Sequence, residues 1–136
     1  MIDKLIIRAM MLILVVFILL AILYERPGIN ANKRADYLPA KGFVGVVLKG
    51  SKLFSENCIQ CHGISLQGTQ KGPPLIHSYY RPEHHGDLAI YLAVYRGVSQ
   101  HHWQFGDMPA MKQLTPEDAG HLLLFIRTEQ KKAGLF

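Results

Sequence analysis

Residues 5–24 read LIIRAMMLILVVFILLAILY, with Arg8 as the only charge. As a helix this run spans roughly 30 Å, the thickness of the hydrocarbon core of a bilayer. A buried core helix is a poor alternative, because nothing downstream could surround so apolar a cylinder. Arg8 lies one turn from the start, where its long side chain can snorkel to head groups. Tyr24 closes the run as an interfacial aromatic. A cleavable signal peptide competes with this reading, since Lys4 and Arg8 resemble its charged n-region. Against it, the apolar stretch over residues 9–24 exceeds an ordinary h-region, and the following ERPGINANKRA lacks a convincing pair of small residues for cleavage. The expectation is an uncleaved single-pass transmembrane helix over residues 1–25.

Hydropathy stops abruptly at Glu25, Arg26, Pro27 and Gly28, and Pro and Gly end the helix there. Residues 26–45 read as a linker, polar and aperiodic to about Ala40, then an extended arm from Gly42 that leads into the first helix. The rest, residues 46–136, has room for one compact domain. Net charge is +5, but it is dispersed, and no dense basic stripe marks a nucleic-acid partner. The Lys/Arg bias across the apolar run is too weak to fix its topology.

Three helical segments follow. The first covers about residues 49–57. The second, DLAIYLAVYRGV, has apolar positions at Leu88, Ile90, Tyr91, Leu92, Val94 and Tyr95, with Gly97 placed to end it. The third starts at Thr115 as N-cap, with Pro116 at the first helical position and Asp118 three residues past the cap. Its cationic last turn suits the helix dipole. Between them lie two long loops, residues 63–86 and 97–114, and loops of that length need something to fold around. A domain this small has little core of its own to offer. A large apolar cofactor would supply the core and the reason for the loops.

Residues 58–62 read Cys-Ile-Gln-Cys-His, the attachment signature of c-type haem. Cysteines at i and i+3 face one side of a turn, where each can form a thioether to a haem vinyl group. The adjacent histidine can then give its imidazole to the iron. A zinc site would need further ligands at matching spacing, and Cys58 and Cys61 are the only cysteines. A thioredoxin-like dithiol would follow a strand in an α/β pattern, whereas this sequence is helical around the motif.

The segment GSKLFSENCIQCHG, with Gly50, Phe54 and Cys58 spaced four apart, resembles the first helix of class I cytochromes c. The resemblance implies an all-α fold of helices packed around one covalently bound haem c. It implies that Gly50 and Phe54 pack on the C-terminal helix near Leu122 and Phe125. At Gly72-Pro73-Pro74-Leu75 the family places a proline whose carbonyl holds the second ring nitrogen of the haem histidine, a role assigned to Pro74 or its neighbour. At Gly106-Asp107-Met108-Pro109 it places a methionine as sixth ligand. The iron ligands implied are His62 and Met108, with Met111 as the rival methionine. Thioether ligation and a filled sixth position suit a carrier. The two haem carboxylates would about cancel the charge left on the domain.

Seven histidines are many for this length. Two pairs stand out, His84-His85 and His101-His102, the second followed by Trp103. HHWQFGDMP resembles a segment of small bacterial monohaem cytochromes. In the plainer reading Trp103 and a neighbouring His or Tyr bond the haem propionates, and the rest are exposed loop residues. In the sharper one the histidine pairs hold a second metal, copper by preference. A third reading makes them contacts for a redox partner. Tyr79, Tyr80 and Arg81 are either ordinary loop packing or a set in which Arg81 and one tyrosine neutralise and bond a propionate.

These readings add up to a membrane-anchored electron carrier rather than an enzyme, with no small-molecule substrate. The resemblance implies a haem domain on the periplasmic face of a bacterial inner membrane. There it would exchange electrons with redox proteins or membrane oxidoreductase complexes. The alternatives are a haem-bearing subunit of a larger membrane oxidoreductase, and a haem protein with an open sixth position.

Overall fold

The computed structural model describes residues 4–23 and 37–136. The chain divides into two compact units, Met1–Lys33 and Arg34–Phe136. The first contains helix α1, Lys4–Leu23. Its side chains over residues 6–20 are exposed all round, as expected where a helix lacks a polar face. Among the described residues no helix is long and apolar enough to cross a membrane, so the expected transmembrane span is not shown by them.

The second unit is all-helical, with α2 (Val47–Asn57), the single turn α3 (Ile59–His62), a 3-10 turn (Ser78–Tyr80), α4 (Asp87–Arg96) and α5 (Pro116–Lys132). α2 begins two residues before the expected start, and α4 ends one residue before Gly97, which takes φ +71° beyond its last turn. α5 starts as its sequence dictates. Thr115 Oγ1 accepts from the Asp118 N–H, and the Asp118 carboxylate accepts from the Thr115 N–H at 3.1 Å, a reciprocal capping box.

α2 packs across α5, and Gly50 decides how closely. A Cβ at Gly50 would collide with the His121 carbonyl oxygen and stand 2.7 Å from Phe125 Cβ. One turn on, Phe54 meets the Phe125 ring at 5.4 Å between centroids. Phe54 and Leu122 are each 1% exposed, and Leu66, Tyr91, Val94, Leu114 and Ile126 complete the core around them. α4 packs on another part of α5, leaving space that the two long loops close over.

Residues 26–36 of the expected linker lie outside the described residues. Residues 37–46 form a strap packed onto the helices. Pro39 and Phe43 lie against Gly120, the Phe43 ring meets His121 edge-on at 4.9 Å, and the Tyr37 ring meets Tyr95 tilted by 50° at 5.2 Å. The sequence hides this because the contacts pair residues 58 to 81 positions apart.

His121 fastens the strap. It is 6% exposed, and its Nδ1 accepts from the Val46 N–H at 2.9 Å, which requires a neutral ring at that nitrogen. Burial lowers its pKa below the ordinary 6.5, and Lys49 adds to this, while Asp118 and Glu117 partly oppose it. The unfolded chain therefore binds the extra proton more readily. The contribution to stability is complete above about pH 6.5 and is lost as pH falls through the lower folded value. Urea midpoints should decline on acidification below 6.5. His121→Asn, which keeps an acceptor without the titration, should decline less; equal slopes for both proteins would refute this account.

Candidate functional site: a haem cavity

A cavity of about 390 Å³ lies between α2, α4, α5 and the loops, within the usual range for cofactor clefts. Its wall is mostly apolar. Cys58, His62, Pro73, Trp103 and Met108 reach it from three separate stretches of chain.

Cys58 sits at the junction of α2 and α3, so α2 carries the motif directly. α3 is the one turn that holds Cys61 and His62, and Gly63 ends it with φ +77°. Cys58 and His62 line the cavity; Cys61 lies beside it, against Gly72, where a Cβ would come within 2.8 Å of Cys61 Cβ. Burial, with Cys61 adding, pushes the Cys58 thiol up to about 11. Reactive dithiols have lowered thiol pKa values, so this cysteine is not poised for disulfide exchange.

His62 is 8% exposed, and burial lowers its pKa while the bond to Pro73 works the other way. Its Nδ1 stands 2.9 Å from the Pro73 carbonyl oxygen. A carbonyl only accepts, so Nδ1 carries the proton and Nε2 presents its lone pair, the arrangement an iron ligand needs. The carbonyl is that of Pro73 and not of Pro74, whose ring packs instead on Gly68. The consecutive prolines left that choice open in the sequence. Two devices set the loop's geometry. Leu66, 1% exposed, takes φ +59°, and its carbonyl accepts from the Leu75 and Ile76 N–H groups.

Met108 and Met111 separate cleanly. Val98 and Met108 exchange two backbone hydrogen bonds, 3.0 and 2.9 Å, and Met108 lines the cavity. Gly97 makes this approach possible, since a Cβ there would strike the Met108 carbonyl. Met111 packs against the hydrophobic core, with its N–H on the Val94 carbonyl.

Trp103 lines the cavity, and its Nε1 is buried without a hydrogen-bond partner among the described residues. A buried donor left unpaired costs about 1–3 kcal/mol; the Tyr80 hydroxyl, whose pKa burial raises and Trp103 lowers in part, lies close to this N–H without an aligned bond. Arg81 does not join it: its side chain is exposed and lies outside the cavity wall. Arg96 does line the wall, with its guanidinium 4.9 Å over the Tyr37 ring. Arg81 follows the 3-10 turn that points Tyr80 inward, and that turn was not visible from composition.

Two residues of α5 were missed by sequence reasoning. Gln130 is fully buried; its Nε2 donates to the Leu75 carbonyl at 2.7 Å and its Oε1 accepts from Arg127. Arg127 also donates to the Tyr80 carbonyl at 2.7 Å, the His85 carbonyl at 2.6 Å and the Asp87 carboxylate at 2.9 Å. Together they tie the first long loop to α5. A polar residue at a core-facing position of α5 was the only signal in the sequence.

The histidine pairs do meet. His84, His85 and His102 bring their ring nitrogens together at one edge of the cavity, whereas His101 turns its Nδ1 to the Ser99 carbonyl at 2.9 Å. Burial, followed by the neighbouring imidazoles, lowers the pKa of both His85 and His102.

A cysteine pair on one turn, a neutral imidazole beside it and a methionine across one apolar cavity define a protein that encloses a covalently attached haem. The Cytochrome c family matches residues 47–130, more than half of the chain. No curated protein and no solved structure matches it. The chain belongs to the cytochrome c family, which makes it a haem-carrying electron-transfer protein rather than an enzyme and implies covalently bound haem c.

The residues present fit that group. The cavity wall carries Cys58 and His62 of the attachment motif, with Cys61 beside it, and a second candidate iron donor in Met108; the buried Trp103 Nε1, near the Tyr80 hydroxyl, could donate to a propionate oxygen. Haem c, when bound, supplies the one-electron couple.

Proposed function

We propose that this protein is a class I monohaem cytochrome c, tethered to a bacterial inner membrane by its N-terminal helix, that passes single electrons between redox partners in the periplasm. The observation that carries this reading is His62, with its Nδ1 fixed by the Pro73 carbonyl, in the same cavity as Met108. One haem follows from a single Cys-x-x-Cys-His motif that uses both cysteines. The tether is supported by residues 9–24, all apolar in sequence and continuing beyond the side chains described.

In this reading each residue has a definite task. Cys58 and Cys61 hold the group covalently, so it is not lost on cycling. His62 and Met108 would supply an imidazole and a thioether to the iron, a donor pair that disfavours oxygen chemistry. The apolar wall built by α4 and α5 excludes water. Trp103 and Arg96 supply a donor and a charge at the polar edge. Partners would be a quinol-oxidising complex or a terminal oxidase, with no small-molecule substrate.

The test is an optical spectrum of membrane-extracted protein, oxidised and reduced, with carbon monoxide added to the reduced form. A c-type spectrum indifferent to carbon monoxide is expected. After denaturation and acid extraction the haem should stay with the parent chain and leave the Cys58→Ala/Cys61→Ala double variant. Covalent retention by that variant, or a spectrum that shifts with carbon monoxide, would overturn the reading. Deleting residues 1–25 should release the haem domain from the membrane fraction; continued sedimentation with membranes would count against the tether.

A further inference from the structure

Three imidazoles at the cavity edge have more polar atoms than hydrogen bonding can use. His102 Nε2 lies 3.3 Å from His84 Nε2 and 3.2 Å from His85 Nε2. A ring nitrogen has either one N–H or one lone pair in the ring plane, so His102 Nε2 can make one good hydrogen bond and not two. A single cation accepting all three lone pairs resolves the surplus. The spacing suits it: three donors at about 2.0–2.1 Å in tetrahedral array stand about 3.3 Å apart. All three donor atoms lie within 4.8 Å of one another.

The rings are also held in place. His102 stacks on Tyr79 at 4.4 Å and 24°, and His85 stacks on Tyr80 at 5.6 Å and 27°. Arg127 grips the His85 carbonyl and the Tyr80 carbonyl. Both loops are therefore anchored to α5 or to each other before any ion arrives, so little ordering is left for binding to offset.

We propose that His84, His85 and His102 form a binding site for one late first-row divalent cation, distinct from the haem ligands His62 and Met108. Three neutral nitrogen donors without thiolate or carboxylate suit copper(II) and zinc(II), copper more tightly. The ion leaves a fourth position for water or another donor. It clamps the first long loop, which brings His84 and His85, to the second, which brings His102. His101, with its Nδ1 turned to Ser99, stands outside the set.

The site is tested on full-length purified protein stripped with a chelator, titrated separately with copper(II) and zinc(II) against a chromophoric competitor. The expected result is one ion per chain, nitrogen hyperfine structure from imidazole in the copper(II) EPR spectrum, and a rise in Tm on loading. His84→Ala is the safest variant, because that side chain is exposed, and it should weaken binding at least about tenfold; His102→Ala should do the same. His101→Ala should bind as the parent does. Haem content and spectrum, read on the same samples, separate this outcome from the fate of the electron-carrier reading. Absence of stoichiometric binding by both ions, affinity unchanged in His84→Ala with His102→Ala, or equal dependence on His101 would overturn the site.

Discussion

Gly50→Ala should leave little folded protein, lowering stability by about 3 kcal/mol or more. The added methyl would meet the His121 carbonyl oxygen and Phe125 Cβ, one a backbone atom and the other a branch point close to it, and neither can swing aside. α2 must then move away from α5. The separation opens the Phe54–Phe125 contact and pulls at Val46, whose N–H is held by His121 at the start of the same helix. A domain with a total of about 5–15 kcal/mol survives such a loss poorly. Ser51→Ala, one position along α2, should be nearly neutral. The measurement is Tm and yield for both variants; a Gly50→Ala protein with the parent's Tm would show that the helices do not cross as described.

The second large effect is expected at Met108. Met108→Ala should abolish the sulfur-to-iron absorption of the oxidised protein, lower the reduction potential and let the reduced form bind carbon monoxide, because thioether ligation raises the potential and closes the sixth position. Met111→Leu should change none of these. Met111 packs on the core, and a volume-conserving exchange there costs under about 1.5 kcal/mol. The two variants therefore separate the methionines by spectrum, not by stability. Retention of the sulfur band in Met108→Ala and its loss in Met111→Leu would reverse the assignment.

Local chemistry made much of this legible in advance. Thr115, Pro116 and Asp118 state the start of α5 within four residues, because a capping box closes on itself. The attachment motif is likewise contiguous, since two thioethers and an axial imidazole must share one turn. Met108 could be ranked above Met111 by its place before Pro109, but its position on the cavity wall rests on the Val98–Met108 bridge and on Gly97. Those contacts pair residues ten and more positions apart.

Other features depended on the fold. The Pro73 carbonyl was chosen over that of Pro74 by the left-handed turn at Leu66 and the packing of Pro74 on Gly68. Arg127 and Gln130 look like ordinary polar positions near the end of a helix, yet α5 turns them inward to hold Tyr80, His85 and Leu75. The segment over residues 37–46 reads as linker and is a strap, because its aromatic and apolar residues find partners on α4 and α5, far along the chain.

By itself, then, the sequence determined the covalent chemistry, the end of α4, the start of α5 and the apolar N-terminal run, all of which are set by residues within a few positions of one another. Only the tertiary structure decided which carbonyl orients His62, which arginine faces the cavity and which three of the four paired histidines converge. Those outcomes depend on distances across the chain, and the balance of packing that fixes them is not written in any local pattern.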